Sequence, residues 1–146
     1  LASGGEDGVV FLWDAGGWRG AAAPMQHLGG VRAVTFSPDG RYLATGCDDT
    51  GVRLWDRRSG RGGYELGNHG GGVRAVAFSP DGRLLASGGD DMTIGIWSVP
   101  DGELLAILSE HGASVTSLAF FPNGTTLASG SMDGTVRLWS LYASRR

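Results

Sequence analysis

The apolar positions of this chain fall into short, β-branched runs: VRAVTFS from Val31, VRAVAFS from Val73 and VTSLAFF from Val115. Runs this short, bounded by turn residues, predict strands rather than helices. Each leads into Pro-Asp-Gly or Pro-Asn-Gly, where Pro presets φ and Gly takes a positive φ. A second set of runs follows (RYLATG, RLLASG, TTLASG), then a second turn (CDDTG, GDDMT, SMDGT) and a third run (VRLWD, IGIWS, VRLWS). The fourth run is less regular. ELLAILS at 103–109 is well patterned, GYELG around Tyr64 is thin, and AAAPM at 21–25 carries a proline that only an edge strand tolerates. A weak fourth strand is what an outer edge predicts, because one side has no ladder to join.

The runs repeat with a fixed step. Trp13, Trp55, Trp97 and Trp139 lie 42 residues apart, and so do Leu1, Leu43, Leu85 and Leu127. Asp7, Asp49, Asp91 and Asp133 keep the step, as do His27, His69 and His111, which are all the histidines. The chain therefore reads as one domain over 1–146 built from repeats that end near residues 14, 56, 98 and 140. Within the first run of each repeat the apolar spacing slips. Val31 to Val34 is an odd step and Val34 to Phe36 an even one, which predicts a bulge that re-aims Arg32.

Composition sharpens this picture. The 27 glycines, without collagen spacing, suit many tight turns. A net charge of −3 is too mild for a nucleic-acid or membrane-surface binder, and all 12 basic residues are arginine. Cys47 is alone, so no disulfide framework or thiolate metal cluster is expected; it stands where other repeats have Gly5, Gly89 and Ser131, as a small filler. Gly70–Gly72 lacks the lysine and following helix of a phosphate loop. Asp48-Asp49 and Asp90-Asp91 lack the oxygen-rich loop that Ca²⁺ needs. No metal or cofactor is expected, and a cytoplasmic setting is.

LASGSMDGTVRLWS, LATGCDDTGVRLWD and VRAVAFSPDGRLLASG resemble WD-repeat (WD-40) sequence, and the resemblance covers essentially the whole chain. It implies an all-β propeller arc of antiparallel four-stranded blades, strands a to d from the centre outward. Two blades would be whole, the first lacking strand a and the last strand d, fourteen strands in all. The expected object is part of a larger ring, with the missing blades in the same parent chain and Arg146 near a natural end.

Ser129, His111 and Asp133 are the residue types of a hydrolase triad. The same types recur at Ser87, His69, Asp91 and at Thr45, His27, Asp49, and an enzyme needs one nucleophile rather than one per repeat. The resemblance supplies another role. The strand-c Trp, strand-b Ser or Thr, the His before strand a and the turn Asp form a hydrogen-bonded structural tetrad. The sets are His27, Thr45, Asp49, Trp55; His69, Ser87, Asp91, Trp97; and His111, Ser129, Asp133, Trp139, with Ser3, Asp7 and Trp13 as a partial set. Here Gln26, Asn68 or Glu110 precedes the His where the family often has Gly. The same resemblance places partner contacts on the loop face around the channel, at Gly30, Arg32, Gly72, Arg74, Ser114 and Thr116 and at Glu6, Asp48, Asp90 and Met132. Arg32 and Arg74 could instead simply pair with Asp48 and Asp90. The implied function is a scaffold that binds proteins or peptides, with no nucleic acid or membrane. The alternative is a sensory or regulatory repeat region attached to an upstream NTPase or kinase domain. Nothing favours an enzyme. On the end blades, some of Val9, Phe11, Leu118 and Phe120 are expected among the uncovered apolar residues.

Overall fold

A computed structural model describes residues 1–17, 19–20, 23–59 and 63–141 of the chain. Among them are strands and turns and no helix, arranged as four antiparallel sheets in an open propeller arc. The second blade runs β5 (Val31–Phe36), β6 (Tyr42–Cys47), β7 (Gly51–Asp56) and β8 (Tyr64–Asn68), each paired with the next. The third repeats this with β9 (Val73–Phe78), β10 (Leu84–Gly89), β11 (Ile94–Ser98) and β12 (Leu104–Leu108). The last has β13 (Val115–Phe120), β14 (Thr126–Ser131) and β15 (Val136–Ser140).

The first blade departs from expectation. Beside β1 (Ala2–Gly4) and β2 (Val9–Asp14), its outer strand is broken into β3 (Arg19–Gly20) and β4 (Met25–Gln26), both paired with β2. Of the described residues of the AAAPM run, Met25 lies in the sheet and Ala23 and Pro24, the latter without an N–H, do not; residues 21 and 22 lie outside the described ones. Among the described residues fifteen strand segments stand where fourteen strands were expected.

The turns follow their residues. Gly40 N–H donates to Ser37 O at 2.8 Å, closing the Ser-Pro-Asp-Gly turn between β5 and β6, with Gly40 at φ 70°. Gly82 and Gly124 repeat this at φ 72° and 71°. On the other side of each blade the second turn places Gly8, Thr50, Met92 and Gly134 at positive φ.

Blade meets blade through one recurring contact. Val31, Val73 and Val115 open the first strand of their blades and press on Gly4, Gly46 and Gly88 of the blade before. A Cβ on any of these glycines would lie 2.6 Å from the valine Cγ1, so only glycine admits the approach. Around each contact sits a small core: Val10, Leu12, Val31, Leu43; then Val52, Leu54, Val73, Leu85; then Ile94, Ile96, Val115, Leu127. The alternation of β7, with Val52 and Leu54 buried and Arg53 and Trp55 on the other face, is the period-two pattern the sequence carries.

The ends of the arc correct one expectation. Leu118 and Phe120 are not uncovered; they pack on the Ile94–Ile96 cluster of the third blade. The bare apolar face belongs to β15, where Val136 and Leu138 are 75% and 64% exposed. Their counterparts Val52, Leu54, Ile94 and Ile96 are each buried by a following blade. At the other end Phe11 is exposed and Val9 half-buried.

Candidate interaction face

The third and fourth blades each hold a continuous hydrogen-bonded chain. Trp97 Nε1–H donates to Ser87 Oγ at 2.8 Å, and Ser87 Oγ lies 2.8 Å from His69 Nε2. His69 Nδ1 lies 3.0 Å from both Asp91 oxygens. In the fourth blade the distances are 2.8 Å from Trp139 to Ser129, 2.7 Å from Ser129 to His111 and 2.9 Å from His111 to Asp133. One proton assignment satisfies every member: His Nδ1–H donates to Asp, Ser O–H donates to His Nε2, and Trp N–H donates to Ser Oγ. The geometry between Ser, His and Asp is that of a triad. Ser87 and Ser129 are 0% and 1% exposed, however, and each hydroxyl oxygen already accepts a tryptophan N–H. A nucleophile must reach its substrate, so these chains act as cross-links between strand, turn and loop.

The sequence did not single out a fifth member. Thr93 Oγ1 donates to Asp91 Oδ1 at 2.9 Å, and Thr135 Oγ1 to Asp133 Oδ1 at 2.6 Å. Each carboxylate also takes the backbone N–H of that Thr and of Gly70 or Gly112. Burial works to raise Asp91, but the N–H groups of Gly70 and Thr93 and the His69 bond outweigh it and hold it below the usual carboxylate range. Hydrogen bonds from Thr135, Gly112 and His111 do the same for Asp133.

The second blade breaks the expected tetrad. Trp55 Nε1–H donates to Thr45 Oγ1 at 3.1 Å and Thr45 Oγ1 meets His27 Nε2 at 2.8 Å, but His27 Nδ1 is buried without a partner. Asp49 has turned to Arg53, whose Nη1 donates to it at 2.9 Å while Nη2 holds Glu65 at 2.9 Å. Two residues after the aspartate the third and fourth blades have Thr93 and Thr135, whereas this one has Gly51, where a Cβ would lie 2.6 Å from Arg53 Nη1. Gly51 leaves the space that Arg53 fills. In the fourth blade Thr135 occupies it, and Arg137 reaches out to Glu110 instead, at 3.0 Å. Burial alone would raise Asp49; Arg53, the Gly51 N–H and Cys47 overcome it and hold Asp49 at about 2. Burial and then the Arg53 charge lower the His27 pKa.

In the first blade Trp13 Nε1–H donates to Ser3 Oγ at 2.9 Å, while Asp7 accepts Val9 N–H at 3.1 Å and joins no His. Cys47 is buried, its thiol donates to Gly29 O at 3.0 Å, and burial raises its pKa, as suits a filler.

The rim where the His loops and the Asp turns meet holds the residues expected to contact a partner. The ladder slips at Arg32, Arg74 and Thr116, so each sits on a bulge that turns its side chain to the rim. Arg32 donates to Asp48 from Nε at 2.8 Å and Nη2 at 2.6 Å, and from Nη1 to Glu6 at 3.1 Å. Arg74 donates to Asp90 from Nε at 2.9 Å and lies 3.4 Å from Asp48. Charges therefore alternate as Glu6–Arg32–Asp48–Arg74–Asp90 across three blades. The hydrogen bonds from Arg32 and Arg74 hold Asp48 and Asp90 below the ordinary carboxylate range, with Ser114 adding to the second. Gly30 and Gly72 keep the row open: a Cβ on either would stand 3.0 to 3.2 Å from an Asp48 oxygen. Thr116 takes the third bulge, close to Gly130 O. Met132 is 73% exposed. Leu28, which the pattern did not mark, is 94% exposed where other repeats have Gly70 and Gly112. Among the described residues no cluster of His, Cys, Asp or Glu is set to hold a metal ion, and no helix is long and apolar enough to cross a membrane.

Repeated antiparallel blades, locked by a Trp–Ser–His–Asp chain and stacked through Val-on-Gly contacts, define a propeller-type repeat protein. A family model described as WD domain, G-beta repeat matches residues 24–56, 62–98 and 102–140, and the chain belongs to this WD-repeat family. A comparison with curated proteins finds no match.

Proposed function

We propose that the chain is a protein- or peptide-binding module whose contact surface is the rim carrying the Glu6–Arg32–Asp48–Arg74–Asp90 row. WD-repeat domains generally serve as protein-interaction scaffolds. The observation that supports the finer reading is the bulge at Arg32 and Arg74, whose side chains meet Asp48 and Asp90 in one row across adjacent blades. The rim also bears exposed Leu28 and Met132. A row of fixed charges beside isolated apolar anchors suits a partner that reads both. The arginines are about one-third exposed, so water screens these ion pairs and they add little to stability. Orientation is the larger effect.

The test compares proteins captured by the immobilised chain with those captured by R32A/R74A and by Leu28→Ser with Met132→Ser. Alanine is used because glutamate would face Glu6, Asp48 and Asp90 and cost stability by repulsion. Capture of the same protein should be lost in both rim variants, with the melting temperature within a few degrees of the unaltered chain. Loss confined to outer-strand changes such as Glu103→Lys would move the contact surface elsewhere.

A further inference from the structure

At the opposite end of the second blade, the β5–β6 turn and the two residues after β7 border a cleft of about 280 Å³ lined by Asp39, Gly40, Arg41, Arg57 and Arg58. The backbone here obeys the repeat. Arg57 N–H donates to Arg41 O at 2.9 Å, and the same bond joins Val99 to Arg83 at 2.9 Å and Leu141 to Thr125 at 2.8 Å. Only the side chains differ. Where this blade has Arg57-Arg58, the first has Ala15-Gly16 and the third Val99-Pro100. The fold is satisfied by small or apolar residues at these positions, so the adjacent arginines are a local addition.

Among the described residues neither Arg57 nor Arg58 forms an ion pair, though, beyond the Ser37 hydrogen bond, the Arg58 charge lies near enough to Asp39 to help lower its pKa. Arg41 is neutralised by Asp56, to which its Nη2 donates at 2.9 Å. Arg57 instead donates to the uncharged Gly40 O at 2.7 Å and lies over the Phe36 ring at 5.4 Å. Arg58 engages Asp56 only through its backbone N–H; its guanidinium forms no hydrogen bond or ion pair among the described residues. The single acidic wall residue, Asp39, accepts Ser37 Oγ–H at 2.6 Å and Arg41 N–H at 3.0 Å. With the Arg41–Asp56 pair cancelling, the described residues leave Arg57 and Arg58 against Asp39, a local excess of one positive charge in a chain whose net charge is −3.

A planar guanidinium fork matches two oxygens of a phosphate, and Arg57 is already oriented by its carbonyl and ring contacts. None of the cleft's five lining residues is an aromatic or aliphatic side chain that would hold a nucleobase or acyl chain. We propose that this cleft binds the phosphate of a phosphorylated serine or threonine in a peptide, with Arg57 and Arg58 as donors. The site is separate from the rim and does not depend on it.

The test is fluorescence anisotropy of the full chain with a labelled alanine-rich pentapeptide bearing a central phosphoserine. Saturable binding is expected, weakened about tenfold or more by Arg57→Gln with Arg58→Gln, unchanged by Arg83→Gln at the third-blade counterpart of Arg41, and unchanged by R32A/R74A. With the unaltered chain, inorganic phosphate should displace the peptide and chloride at equal ionic strength should not, a result that needs no variant to fold. Equal binding of the unphosphorylated peptide, failure of phosphate to compete, or undiminished binding by the double variant overturns the proposal. So does sedimentation with vesicles containing a phosphoinositide when the phosphopeptide does not bind.

Discussion

A missing side chain decides which partner Asp49 takes. With Gly51 beside it, the Arg53 guanidinium settles against the carboxylate, and His27 Nδ1 is left buried and unpaired. An unsatisfied buried polar atom costs about 1–3 kcal/mol, more than the net value of a partly exposed ion pair. Gly51 does not sit at positive φ, so a side chain meets no backbone strain there. Gly51→Thr should therefore displace Arg53, return Asp49 to His27 and raise unfolding stability by about 1 kcal/mol. Nitrogen-15 shifts of His27 should then show a hydrogen-bonded Nδ1–H. An unchanged His27 signal would mean that Arg53 holds Asp49 regardless. The acid limb follows from the same residues. Asp49 is held at about 2 against a usual 3.8, so its contribution is complete above the unfolded value and is lost as pH falls from 3.8 toward 2. His27 is depressed below 6.5, so it too contributes above its unfolded value and withdraws that contribution as pH drops below 6.5. Melting temperatures across this range should fall less steeply for Asp49→Asn below pH 3.8 and for His27→Gln below pH 6.5.

Among the elements, the second turn of each blade is where residue choice and geometry disagree. Gly8 and Gly134 take positive φ freely, but Thr50 and Met92 are held there at 72° and 68°. A left-handed non-glycine residue costs roughly 1–2 kcal/mol, partly offset by the unfolded-state entropy that glycine would add. Thr50 recovers some through its bond to Asn68 at 3.1 Å, whereas Met92 is half-exposed. Met92→Gly should stabilise the chain by about 0.5–1 kcal/mol, measured by urea denaturation; a loss of stability would mean its side chain packs usefully. The sequence revealed most of this scale. Turn residues, strand order and the bulge at Arg32 were all legible, because local chemistry at a fixed spacing produces them. The broken outer strand of the first blade was not, because an edge strand answers to pairing with β2 rather than to its own pattern. The loss of the His27–Asp49 bond was hidden for a related reason. It depends on Arg53 and Gly51 meeting across a turn, and a repeat read by likeness draws the eye to what is shared. The cleft at Arg57 and Arg58 was overlooked on the same ground.

Across the whole molecule, stability rests on blades covering one another. Val136 and Leu138 lie bare on β15, and the Gly130 position that would receive a valine receives none. A second copy cannot supply it, since its first sheet has no counterpart of β5, the strand that carries the valine. Residues 1–146 alone should therefore associate in a concentration-dependent way without a defined stoichiometry. Light scattering after size exclusion reads this directly, and Val136→Ser with Leu138→Ser should shift the mass toward one chain. A single-chain mass for the unaltered protein at all concentrations would contradict it.

The Val-on-Gly contact recurs between β1 and β5, β6 and β9, and β10 and β13 with the same 2.6 Å approach. Each junction is thus interchangeable with the next. Excision of residues 57–98 would join Asp56 to Val99, set β12 beside β7, and bring Val115 onto Gly46. Every surface so created already exists elsewhere in the chain. Such an array can gain or lose length by whole periods through recombination without a new interface having to be invented. What it loses in that exchange is what the excised stretch has added for itself, here Arg57 and Arg58 together with Arg74 and Asp90 of the rim row.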